Sequence, residues 1–183
     1  MSISLKNLVF HPDTFFSEIT FEWRNLLIPC VFVALMGLFG VWLLWRFSFG
    51  YSLFSIVEMM SLPFIVWVIV TLAMFCTARV FSGTGSLFAT LQNIGFGTFP
   101  LTFAVAGSVR IIAIINGSPS TLAEYSLLPF LSWIVLPLWS FYLWYCGIQH
   151  AHQLSRMKAA ISVGSVAILL YAVWHINPFG GTM

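Results

Sequence analysis

Long apolar runs separated by short polar breaks organise this chain. Five runs reach the ~20 mostly apolar residues that a bilayer-spanning helix needs: roughly 26–45, 55–78, 96–115, 126–147 and 159–176. The first, LLIPCVFVALMGLFGVWLLW, carries no charge. It starts too late and runs too long for a cleavable leader, so it reads as an uncleaved span. Residues 1–25 are mixed in polarity. In DTFFSEITFEWR, Phe16, Ile19 and Trp23 recur at helical spacing, while Glu18 and Glu22 lie elsewhere on the wheel. This predicts an amphipathic helix along the membrane surface that leads into the first span. The chain therefore divides into an amphipathic cytoplasmic segment, 1–25, and a membrane domain, 26–183. The fold class is all-α, a bundle of five transmembrane helices.

Composition supports this reading. Sixty per cent of the residues (60%) are hydrophobic, 7% are charged, and the mean hydropathy is +0.99. A soluble domain carries about a quarter charged residues. The net charge of +2 comes without a basic run, which gives no footprint for nucleic acid. Cys30, Cys76 and Cys146 each lie in an apolar stretch without CxxC spacing, so neither a disulfide framework nor a zinc site is suggested.

Loop charges set the orientation. Lys6, Arg24, Arg79, Arg156 and Lys158 share one side of a five-span layout, and Arg46 and Arg110 lie toward the other. The positive-inside rule then places the N-terminus in the cytoplasm and the C-terminus outside the cell (plasma or inner) membrane. Trp23, Trp45, Tyr51, Tyr125, Trp144 and Trp174 fall near predicted span ends and suggest an interfacial belt.

Few residues offer chemistry. Glu58 and Arg110 are the charges inside predicted spans, at matching depth, and are expected to form a structural ion pair. His150 and His152 are two apart, point in nearly opposite directions on a helix, and read with His11 and His175 as interfacial histidines, not metal ligands. HExxH, GxSxG and carboxylate clusters are absent from the sequence, so no enzyme, metal or cofactor is expected. Pro29, Pro63, Pro100, Pro129 and Pro137 punctuate the spans, and Ala104/Ser108 and Ala160/Gly164 are spaced for close helix contact.

The stretch GTGSLFATLQNIGFGTFP, Gly83 to Pro100, has the glycines of a phosphate loop without its lysine. It parses instead as a short helix capped by Ser86, with Leu87, Leu91 and Ile94 on its apolar face and Thr90, Gln92 and Asn93 away from it. Gly95-Phe96-Gly97 is expected to interrupt that helix, and Pro100 to open the third span.

Three features resemble the YIP family of Ypt/Rab-interacting membrane proteins in its short prokaryotic form. They are Phe10-His11-Pro12 with Phe15-Phe16; Gly83 and Gly85 followed by Gly95-Phe96 and Pro100; and Gly147, His152, Ser155 and Lys158 between the last two spans. Phe96 stands where the family pair has tyrosine. Eukaryotic members bind prenylated Rab GTPases and organise Golgi and endoplasmic-reticulum membranes. The resemblance implies a non-enzymatic membrane organiser or adaptor, with Gly83, Gly85, Gly95, Phe96, Pro100, Gly147, His152, Ser155 and Lys158 as the partner-binding positions. The expected partners are the lipid bilayer and a protein at the cytoplasmic face, with a further copy of the chain left open. The alternative is a small transporter or channel with a polar path near Glu58 and Arg110.

Overall fold

The computed structural model of the chain describes residues 5–20, 22–47, 52–117 and 127–176. All regular structure among them is helical. Two short helices, α1 (Leu5–Phe10) and α2 (Pro12–Glu18), precede the long α3 (Trp23–Phe47) and α4 (Leu53–Val80). The central α5 (Leu87–Gly97) and α6 (Phe99–Gly117) follow. A four-residue turn, α7 (Leu127–Phe130), then passes through a π-helical turn (Leu131–Val135) into α8 (Leu136–His152), and α9 (Arg156–Ile176) closes the bundle.

Local chemistry explains several of these boundaries. Ser52 and Ser86 cap α4 and α5 by accepting hydrogen bonds from the Ser55 and Ala89 amides, at 3.0 and 3.1 Å. Pro137 has no N–H to continue an α-helical ladder. Just before it the Leu136 amide reaches back five residues to the Leu131 carbonyl, which is the π-helical turn.

Helices α4 and α8 end alike. Ser82 and Gln153 adopt left-handed backbone conformations, with φ of 66° and 53°. Beyond them, the Gly83 amide bonds to the Ala78 carbonyl at 2.9 Å, and the Leu154 amide to the Gln149 carbonyl at 3.1 Å. Both are the long return bond of a Schellman motif, built without glycine at the left-handed position.

Helix α3 packs against α4, α5 and α6, and α8 packs against α2, α5, α6 and α9. This leaves α5 enclosed by α3, α4 and α8. Its Ile94 belongs to one apolar core, with Val33, Trp67, Met74, Ile148 and Val163. Its Phe96 belongs to the other, with Leu8, Phe15, Phe16, Phe32 and Leu143. Among the described residues, three segments are long and apolar enough to cross a bilayer: Trp23–Trp42, Ser55–Val80 and Leu131–His152. The other two predicted spans coincide largely with α6 and α9.

The structure corrects the sequence reading in four places. The predicted single helix from Asp13 to Arg24 divides, because Ile19 is extended (ψ 130°) after α2. Phe15 and Phe16 dock α2 onto the protein, and Trp23 begins α3 with 77% of its surface exposed. Gly95-Phe96-Gly97 does not interrupt α5 but forms its last turn, and the break falls one residue later at Thr98. Trp144 is a core residue, not an interfacial one, whereas Trp23 and Trp45 are exposed. Gly164 meets nothing within 4 Å of where a Cβ would stand, so Ala160/Gly164 is not a helix contact. Tyr51, Tyr125 and the side chain of Trp174 lie outside the described residues.

Candidate functional site

The polar face of α5 is turned into the protein. Thr90, Gln92 and Asn93 are fully buried, whereas Leu87 is 43% exposed. Ile94, on the predicted apolar face, is fully buried too, so α5 is enclosed on both faces. In a bilayer an outward polar face has no partner, while the bundle interior can supply one. Here the Asn93 amide donates to the Gly147 carbonyl at 2.9 Å and the Gln92 amide to the Thr20 carbonyl at 3.3 Å.

Two indoles hold α5 from either side. Trp67 of α4 donates to the Leu91 carbonyl and Trp144 of α8 to the Ile94 carbonyl, each at 3.0 Å. At the start of α5, Thr90 Oγ1 lies 2.8 Å from His152 Nε2. The single hydroxyl proton of Thr90 is already given to the Ser86 carbonyl at 2.9 Å. The tautomer with its proton on His152 Nε2 satisfies both contacts, with Nε2–H donating to Thr90 and Nδ1 left as the bare nitrogen. Nδ1 is buried without a partner, as are the side-chain oxygens Gln92 Oε1 and Asn93 Oδ1.

Glycines make this approach feasible. A methyl group at Gly95 would stand 2.5 Å from Pro29 Cβ, and one at Gly147 would stand 2.9 Å from Asn93 Cβ. At Gly83 it would lie 2.9 Å from His152 Cβ, at Gly85 it would overlap the Ala151 carbonyl, and at Gly97 it would overlap the Trp144 indole. The glycines that resemble a nucleotide loop are thus where helices touch without side chains between them.

Above this seam the ends of α4 and α8 meet. The Thr84 amide donates to the His152 carbonyl at 3.2 Å. Arg79 reaches over the turn to the Gly83 and Gly85 carbonyls, at 3.2 and 2.8 Å, with its guanidinium 5.0 Å above the Phe75 ring. Lys158 donates to the Phe81 carbonyl at 3.3 Å. Both cations sit where the carbonyl end of a helix favours positive charge. On the α2 side, His150 Nε2 is 3.4 Å from Asp13 Oδ1, an ion-pair distance without hydrogen-bond geometry.

Of the nine positions implied by the resemblance, Gly83, Gly85, Gly95, Phe96, Pro100, Gly147 and His152 are buried. The seam brings together Gly83 and Gly85 with His152, and Gly147 with Asn93. Ser155 and Lys158 are exposed at the start of α9. Glu58 is exposed on α4, and the Arg110 side chain, its predicted partner, lies outside the described residues. Sequence reasoning passed over Trp67 and gave no partner to Gln92 or Asn93. The available signal was an uncharged polar cluster beside glycine in a very apolar chain. Among the described residues, no group of three His, Cys, Asp or Glu side chains could hold a metal ion.

Apolar crossing helices around a buried, hydrogen-bonded central helix define a multi-pass helical membrane protein. A family model described as the Yip1 domain matches residues 6–176, nearly the whole chain, and the protein belongs to that family. Comparison with curated proteins and with solved structures gives no match.

Proposed function

We propose that this protein is a non-enzymatic membrane organiser or adaptor that receives a partner protein at a basic face on the cytoplasmic side of the cell membrane. The observation that carries this reading is the meeting of three remote segments at one end of the bundle. The α4–α5 turn is tied to α8 and α9 through Thr84 and Lys158, and the Gln92 bond to Thr20 draws in the N-terminal segment. Exposed Arg79, Arg156 and Lys158 accompany exposed Val80 and Met157 there, an association of cation and apolar surface that suits both a protein and a lipid interface.

In this reading α6 and α9 complete five crossings, with α5 and α6 together forming the third. Lys6, Arg24, Arg79, Arg156 and Lys158 then share the cytoplasmic side. The buried glycines and His152 shape the face, while Ser155, Arg156, Met157 and Lys158 touch the partner. The transport alternative draws less support, because Glu58 sits on the exposed side of α4.

The test is a photoreactive residue in place of Met157 in intact cells. It should capture a defined protein, and Arg156→Glu with Lys158→Glu should abolish capture while Glu58→Gln leaves it unchanged. Solute flux in proteoliposomes that Glu58→Gln abolishes, with no protein captured, would overturn the adaptor reading. Orientation is checked separately: in a cysteine-free background, Ser120→Cys should react with an impermeant reagent in intact cells, and reaction only after lysis would reverse the topology.

A further inference from the structure

Helices α3 and α4 approach closely at Gly37, where a Cβ would stand 3.1 Å from Met60 Cα. One turn further they part, and a cavity of about 220 Å³ opens between them. Val33 and Met36 line it from α3, and Leu62, Pro63 and Val66 from α4. Trp67, Ile94, Leu101 and Trp144 form its deeper wall.

The polar atoms of that wall are turned elsewhere. The Trp67 and Trp144 N–H groups are spent on the Leu91 and Ile94 carbonyls, and the Thr98 hydroxyl donates to the Gly95 carbonyl at 2.6 Å. Only ring faces and hydrocarbon line the space, so a water molecule would find none of the polar partners it needs. A smaller apolar cavity, of ~150 Å³, already admits benzene.

The position of the cavity identifies its occupant. Val66 lies near the middle of the Ser55–Val80 crossing, so the cavity stands near the bilayer midplane, where acyl chains end. Its mouth is lateral: Leu62 and Val66 both line the cavity and are 48% and 45% exposed, on the same stretch of α4 as the exposed Ile65 and Ile69. The medium outside that mouth is hydrocarbon. Left empty, the lining would forfeit its dispersion contacts, and an entering chain restores them.

We propose that this crevice is an acyl-chain site that takes the terminal segment of a phospholipid chain from the surrounding bilayer, with the headgroup left at the interface. The site is independent of any partner at the basic face.

The experiment uses the full chain in phosphatidylcholine vesicles. Two trace phosphatidylcholines are compared, one with a diazirine at the acyl-chain end and one with it near the carboxyl group, followed by irradiation and peptide mapping. The chain-end probe should mark Ile94, Leu101 or Trp144, and the near-headgroup probe should not. Val66→Phe, which narrows the mouth, should reduce those adducts by roughly tenfold. Labelling of Ile65 and Ile69 should persist, which reports an intact α4 in the same sample. Leu62→Phe repeats the test one turn earlier on the same face of α4. Equal labelling by both probes, or deep-wall adducts indifferent to both substitutions, overturns the proposal. So does a wild-type wall without adducts, whether the crevice is empty or filled by a second copy of the chain.

Discussion

His152 Nε2 and Thr90 Oγ1 share a hydrogen bond across 2.8 Å of fully buried space, joining the last residue of α8 to the first turn of α5. The bond matters through the penalty for losing it: a buried N–H deprived of its acceptor costs about 1–3 kcal/mol. Thr90→Val keeps the shape and removes the acceptor, so it should destabilise the protein by about that amount. Thr90→Ser keeps the hydroxyl and should retain most of the stability. Thermal unfolding in mild detergent checks the pair.

Gly97 and Gly164 should respond to alanine in opposite directions. A methyl group at Gly97 meets the Trp144 indole, whose own hydrogen bond to Ile94 limits its retreat. Gly97→Ala should cost about 1–3 kcal/mol, as overpacking does. Gly164→Ala enters open space within α9 and should stabilise by about 0.5–1 kcal/mol, the usual advantage of alanine over glycine in a helix. Denaturation of the two variants side by side distinguishes contact from mere helix propensity.

Ser82 and Gln153 carry the cost of left-handed backbone, ~1–2 kcal/mol for a residue with a Cβ. Ser82→Gly and Gln153→Gly should each raise the melting temperature, whereas Ser82→Ala should not. A fall on glycine substitution would mean that these side chains contribute more than the turn does.

The N-terminal helix is held by its rings. Phe16 is 2% exposed, and Phe15 meets Phe96 edge to face at a centroid distance of 5.1 Å. Phe16→Ala should cost about 3–5 kcal/mol and speed amide exchange through residues 12–18. Asp13 and His150 are both partly solvated, with 63% and 28% of their side-chain surface exposed, and such pairs are worth about 0–1 kcal/mol. Asp13→Asn should leave exchange in α2 nearly unchanged.

Much of the helical framework was legible in the sequence, because uninterrupted apolar length is a strong signal and Ser86 a clear cap. The interior of α5 was not. Its glycines read as a break because helix propensity disfavours them, yet the closeness they allow to Pro29, Trp67 and Trp144 outweighs a cost of ~1 kcal/mol each. Its wheel separates polar residues from apolar ones but names no partner for either. Thr90 and Asn93 find their partners on α8, and Gln92 finds one at Thr20, which no local pattern could reveal. The motif glycines were legible as special positions, but not as helix contacts, since spacing alone does not name the facing residue.

The central place of α5 also imposes an order on biogenesis. Thr90, Asn93 and Ile94 bond to residues that lie 50 to 62 positions later in the chain. At a synthesis rate of about 5–20 residues per second, α5 emerges roughly 3–12 s before α8 does. During that interval its amides and hydroxyls must be sheltered by something other than their final partners. A nascent chain halted before α8 should therefore stay engaged with the insertion machinery, and release into the lipid should await the last quarter of translation.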